Sequence, residues 1–461
     1  MSARRTLRVA ARWLVLSAFA AGGAGRSRAQ DVPGAHQASS RVLRLEDALR
    51  IARERQPALR KVRAEHDQAE ARLIAARAPL LPQLTGTASY QRTTGNFVPR
   101  PGQVPRTVPG ATGSNASPNR DPYTLYNFFN FGITASQLIY DFGASSGSYQ
   151  ANRELLRAQE SESEATSQDV TAQVSMAFLQ ARAYQELVAV ARENLANTER
   201  HRDQAQSFVS AGARPEIDLV QARADVANAR VKLIEAENAY AIAIAALEQA
   251  MGRDDAEAYE LSEESVPPVP SEEQASSELY ATALRARPDL AVFEHRARAQ
   301  RLTIRANKGG YGPALSASTS LTSGGTQLDA LVTNWNAGVL LVWPLFQGGA
   351  SHARVLESRA VHESLLADQD AARLAARFEL EQARLGVRAA KAVEQAAQEV
   401  QVNAEERLRM AEKRYAAGVG NAIELGDARV ALATSQAQRV QATYSLGAAR
   451  VSLRKALGDL P

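Results

Sequence analysis

Six histidines are the side chains of this chain best suited to hold a metal or relay a proton: His36, His66, His201, His295, His352 and His362. None has the H-x-x-x-H spacing that sets two imidazoles on one helix face. The chain has no cysteine, which excludes thiolate nucleophiles, thiolate metal sites, disulfides and a lipidated N-terminal cysteine. Neither a P-loop nor a dinucleotide glycine fingerprint occurs. The glycine pairs at 309–310, 324–325 and 348–349 read as turns, and four methionines are too few for a thioether relay of soft metal ions. The expectation is no catalytic, cofactor or metal site. Charged groups cluster instead beside two glycine breaks. Arg214 and Asp218 follow Ala211-Gly212-Ala213, and Arg414, Glu424 and Asp427 flank Ala417-Gly418-Val419-Gly420. Acids here can complement a helix dipole or line an opening that attracts cations, and the glycines are first of all turn-formers. Spacing alone leaves both readings open.

Long helices must position those groups. Residues 148–211 hold no proline and almost no glycine, and Val174, Ala177, Ala181, Tyr184, Val188, Ala191, Leu195 and Thr198 advance in steps of three and four. That is a coiled-coil seam, with alanines that allow close helix approach. Gly212 breaks the helix and 216–251 forms its return. The same plan recurs as a helix over 353–416, a break at Gly418-Val419-Gly420 and a return over 421–457.

The recurrence is an internal duplication. Pro57 and Pro288, and Pro82 and Pro313, are each 231 residues apart. Gly143 and Gly349, Gly212 and Gly418, Gly252 and Gly458, and Ala222-Arg223 and Ala428-Arg429 are each 206 apart. The change of offset places a 25-residue surplus between Tyr90 and Phe128, in a Pro/Gly/Thr/Ser-rich loop. The first repeat is expected over 30–261 and the second over 272–461, with 262–271 as linker. Each opens with a helix, over Leu45 to Ala78 and from 272 to Lys308.

Between helices the period changes to two. Strand pairs are expected at 84–90 with 128–142, and at 313–323 with 334–347. Phe129, Phe131, Ile133 and Ala135 alternate with Asn130, Gly132, Thr134 and Ser136. Apolar on one face and small polar on the other is the pattern of a transmembrane barrel strand, and also of a half-buried soluble sheet. No segment is long and apolar enough for a spanning helix, so any crossing is by strands. At the start, Arg4, Arg5, Arg8 and Arg12 precede the apolar run Trp13 to Ala21, and Ser27-Arg28-Ala29 offers a cleavage site. Residues 1–29 therefore read as a secretory signal peptide. Its six arginines and no acid carry the net charge from +4 to −2 on removal, which argues against a nucleic-acid partner.

These residues resemble the TolC-like outer-membrane efflux and secretion channels over essentially the whole mature length. The resemblance rests on Leu45-Glu46-Asp47-Ala48-Leu49, Leu81-Pro82-Gln83-Leu84, Ser136 to Gly143 (SQLIYDFG), and Ala-Gly followed six residues later by an acid, in this order and twice over. It implies a mainly α protein with a transmembrane β contribution: a homotrimer sharing a twelve-strand barrel in outer-membrane lipid, with a periplasmic helical tunnel below. It further implies passive export, with a periplasmic adaptor and an inner-membrane pump of the RND, ABC or MFS type as partners. By the same resemblance the hairpin tips Ala211-Gly212-Ala213 and Ala417 to Gly420 form the entrance and meet the adaptor. Asp218 lies at that entrance, and Glu424 and Asp427 form acidic rings near the constriction. The family's basic residue two after the second tip glycine is here Gly420, which leaves Arg214 and Arg414 to hold the entrance closed. Drug efflux, metal-ion efflux and type I secretion all remain open as the task. The competing readings are a periplasmic adaptor, which has one hairpin and no duplication, and a coiled-coil structural protein, which needs no barrel strands.

Overall fold

The computed structural model describes residues 41–94, 125–254, 259–263, 266–270 and 272–460. The signal peptide, His36 and most of the loop before Phe128 lie outside the described residues. A short strand β1 (Arg41–Leu43) leads into α1 (Leu45–Arg55) and α2 (Pro57–Arg77), and strands β2 (Gln83–Thr94) and β3 (Leu125–Tyr140) follow. Then come α3 (Ala144–Ser210), α4 (Glu216–Met251), β4 (Tyr259–Leu261), α5 (Ser276–Ala286) and α6 (Pro288–Gly309). The chain ends with β5 (Ala314–Gly325), β6 (Val332–Val342), α7 (Ala350–Ala416) and α8 (Ala422–Leu457).

The long helices α3 and α7 have 67 residues each, about 100 Å at 1.5 Å per residue. Their starts and ends, and those of α4 and α8, differ by 206; the starts of α1 and α5, and of α2 and α6, differ by 231. The backbone repeats as well. Phe142 and Gly143 have φ of 53° and 87°, and Gly348 and Gly349 have 59° and 86°. The strand-to-helix corner therefore matches Phe142 with Gly348. Phe142 takes a left-handed conformation that usually falls to glycine, and a Cβ on Gly312 would meet its ring at 2.4 Å.

Several boundaries depart from the periodicity for local reasons. The opening helix is broken at Gln56 (ψ 121°) and its counterpart at Arg287 (ψ 115°), because the residue before a proline is driven out of the α region. The second-repeat helix begins at Ser276, not at 272. Strand β3 stops at Tyr140, short of the turned corner at Phe142, and β6 stops at Val342, two residues before Pro344. The long helices start at Ala144 and Ala350, three or four residues earlier than the seam suggests.

Both proline breaks are locked by a glycine at the end of a return helix. Gly252 (φ 72°) lies so close that a Cβ would stand 2.8 Å from Gln56 Cα, and Gly458 (φ 74°) so close that one would stand 2.8 Å from Ala286 C. Gln56 Nε2 also donates to the Ala250 carbonyl at 2.8 Å. A left-handed residue other than glycine costs about 1–2 kcal/mol, and a clash with backbone has no side chain to yield. Gly252→Ala and Gly458→Ala are each expected to destabilise the protein by more than ~2 kcal/mol, read as a lowered thermal midpoint.

The residues between the repeats are more than a spacer. Val266 and Val269 are buried, Arg182 Nη2 donates to Glu263 at 2.9 Å, and Arg450 Nη1 donates to the Val266 carbonyl at 2.9 Å. The strap runs from Leu261, in an apolar cluster with Val174, Phe178, Leu247 and Met251, to Val269, in a second with Leu279, Leu380 and Leu453, and between them Val266 packs against Leu179 and Val451.

At the far end β2-β3-β5-β6 form one antiparallel sheet in that order. Its register lines up Gly86, Ile133, Leu321 and Trp335, and one step away Thr85, Thr134, Ser320 and Asn336. One face is thereby apolar and the other small and polar. Leu84, Ile133, Leu321, Trp335 and Val339 are all exposed on the apolar face. Strands β2 and β6 each have an unpaired edge within this sheet. Among the described residues no helix is long and apolar enough to cross a membrane.

Candidate functional site

The charged groups singled out in the sequence converge at the ends of the two helix hairpins. At the α3–α4 tip, Gly212 takes φ 71° and its N–H donates to the Val209 carbonyl at 3.0 Å, while Ala213 N–H donates to Phe208 at 2.9 Å. At the α7–α8 tip, Gly418 takes φ 76°, and the N–H groups of Val419 and Gly420 both donate to the Arg414 carbonyl. These bonds close the helix C-termini, with glycine where left-handed backbone is required. Ala211, Gly212, Ala213, Ala417, Gly418 and Val419 are all exposed, whereas Gly420 is buried. A Cβ at Gly420 would stand 3.1 Å from the backbone of Arg414 and Tyr415, so a basic side chain there requires the tip to shift.

Each candidate acid has a distinct setting. Asp218 is half-buried in the first turn of α4. Glu424 sits in the first turn of α8, where its N–H donates to Asn421 Oδ1 at 2.7 Å, an N-cap bond. Its carboxylate does not reach back to the cap but pairs with Arg414 Nε at 3.2 Å across the tip. Asp427 is exposed, one turn further along. Arg214 bridges the hairpins: its guanidinium lies 4.6 Å from the centre of the Tyr415 ring and donates to the Tyr415 carbonyl at 3.2 Å.

Periodicity alone passed over the groups beneath these tips. Tyr415 is buried in a cluster with Ala411, Leu425 and Ala428, and burial pushes its hydroxyl pKa up. His201 meets the Tyr415 ring edge-on at 5.7 Å. Burial, and then the Arg429 charge, push His201 down to about 4, with Asp218 opposing. Arg429 is itself lowered by burial. Continuing the α3 seam past Thr198 by steps of three and four reaches His201 and Ala205, both buried; that extension was the available signal. On α2, His66, Asp67 and Glu70 bring possible ligand atoms within 4.8 Å of one another, but the two acids are exposed.

Both tips fall inside the segments matched by the family model for outer membrane efflux proteins, residues 48–253 and 279–459. The chain belongs to the outer membrane efflux protein family. The unmatched stretch between the segments holds the strap. Among its relatives, this efflux protein is 26% identical over 443 residues to the pyoverdine export outer membrane protein OpmQ of Pseudomonas aeruginosa, covering 94% of this chain and 89% of OpmQ. The CmeC outer membrane channel of Campylobacter jejuni has the same fold, with a TM-score of 0.74 and 20% identity over 90% of this chain and 85% of CmeC. A membrane protein from Pseudomonas aeruginosa reaches 0.76 with 23% identity over 90% and 93%. This efflux protein is an outer-membrane channel component of an efflux system.

Proposed function

We propose that three copies of this efflux protein close a twelve-strand barrel, and that the hairpin tips form a regulated periplasmic entrance. The observation that carries this reading is the sheet: four strands with a one-sided apolar face and two free edges. Four strands are too few to close a barrel, and lipid tolerates no open edge, so β2 and β6 of neighbouring copies must pair. The helices, about 100 Å long, then carry the tunnel through the periplasm to tips that dock an adaptor and, through it, an inner-membrane pump of the RND, ABC or MFS type. The tunnel has no energy source of its own, so transport is driven by the pump.

At the entrance, Glu424 and Asp427 of three copies place six carboxylates around the axis and favour cations. Arg414 neutralises part of that charge, and Arg214 holds the first hairpin on the second. The test is native mass together with single-channel conductance in a planar bilayer. A trimer with a small cation-selective conductance is expected; Glu424→Ala/Asp427→Ala should lose most of its cation selectivity and conduct more. A monomer without conductance overturns the reading.

A further inference from the structure

We propose that His201 is a proton-operated wedge between the two hairpins: uncharged it lets them close, and protonated it drives them apart. The inference rests on reading the tips as a movable entrance. His201 stands on α3, eleven residues before Gly212 and so about 16 Å from the tip. Its side chain is more than nine-tenths buried, and its Nδ1 has no hydrogen-bond partner among the described residues. A neutral ring tolerates that position. A proton makes both ring nitrogens donors and places a cation in a buried site beside Arg429.

The surroundings decide the sign. Arg429 on α8 repels an imidazolium, and Arg200 and the opposite charge of Glu193, both on α3, line the same cavity. Asp218 on α4 attracts it but is outweighed. From α7, the Tyr415 ring lies 5.7 Å away at a steep angle with Arg214 4.6 Å from its centre, and Glu412 is 3.9 Å from Arg429. A cavity of about 240 Å³ adjoins the ring, lined by Gln204, Glu412 and Arg429 among others, which is room enough for water to deliver the proton. Separated hairpins return His201 to water and to its ordinary value near 6.5. Protonation therefore favours the open form: stability of the closed form is intact above pH 6.5 and is lost as pH falls from there towards 4. With values of 6.5 open and about 4 closed, the open-to-closed ratio rises about fourfold at pH 6 and about thirtyfold at pH 5.

Because the chain has no cysteine, Ala213→Cys and Val419→Cys can be spin-labelled selectively on the exposed tips of the purified full-length protein. Distances between the labels are then measured at pH 8, 6 and 5. The wild-type background is expected to gain a longer-distance population over this range, approaching a thirtyfold change in ratio, and His201→Gln to change less than about threefold. Arg429→Met keeps the histidine but removes the charge opposing its proton, so its response should shrink. An equal pH response with and without His201, or none in the wild type, overturns the wedge. The labels report hairpin separation whether or not the protein conducts, so failure of the channel reading is seen separately in the bilayer.

Discussion

Leu321→Arg is expected to abolish assembly in the outer membrane, whereas Ser320→Arg, one residue earlier, is expected to leave assembly intact. Leu321 lies in the middle of β5 between Ile133 and Trp335, on the exposed apolar face. Ser320 lies on the opposite face between Thr134 and Asn336, and its hydroxyl donates to Asn336 Oδ1 at 2.8 Å. An arginine facing lipid near the bilayer midplane costs ~2–4 kcal/mol. Each of the three copies meets that cost, against the ~5–15 kcal/mol that stabilises a typical folded chain, and all three meet it in the same assembly step. The measurement is the heat-resistant trimer recovered from outer-membrane fractions. The position 320 variant should assemble and show altered ion selectivity, because in the proposed barrel its new charge faces the polar lumen. Equal tolerance at both positions would mean that the apolar face does not meet lipid.

That contrast is legible in the sequence because strand side chains alternate with a period of two, and the alternation of Phe129, Phe131 and Ile133 with Asn130, Gly132 and Thr134 needs no knowledge of partners. The tip glycines are legible for a similar reason: Gly212 and Gly418 interrupt long helical runs where left-handed backbone is required. Contacts between segments distant in the chain are not legible in this way. The α1–α2 break follows from Pro57, but its lock depends on Gly252, almost two hundred residues on. His201 falls on the extended α3 seam, which marks it as inward-facing, but that Tyr415 of α7 and Arg429 of α8 surround it is not legible in the sequence. Arg414 and Glu424 stood out only as charges near a tip, and the pairing between them follows from the tip geometry.

The strap is the clearest case. SVPPVPS has the composition of a solvated linker, and composition cannot tell a docked segment from a free one. What docks it are Val266, Val269 and two ion pairs, Arg182 with Glu263 on one side and Arg450 with Glu272 on the other; the second is the less exposed. Glu272 Oε1 accepts from the Val269 N–H at 2.9 Å and from Arg450 Nε at 2.8 Å, with the two side chains only 8% and 14% exposed. Arg450→Met strands the Glu272 carboxylate and removes the donor to the Val266 carbonyl. Breaking one partner of a buried pair costs about 3–5 kcal/mol, so a large fall in the thermal midpoint is expected, together with protease cleavage within 262–271. Glu272→Gln leaves Arg450 nearer to water and keeps its bond to Val266, so it should cost less. The double variant Glu272→Gln/Arg450→Met no longer buries an unpaired charge and should recover about 2 kcal/mol over Arg450→Met alone. If instead the two costs simply add, the strap is held by Val266, Val269 and the Arg182–Glu263 pair, and the Glu272–Arg450 pair contributes nothing to joining the two repeats.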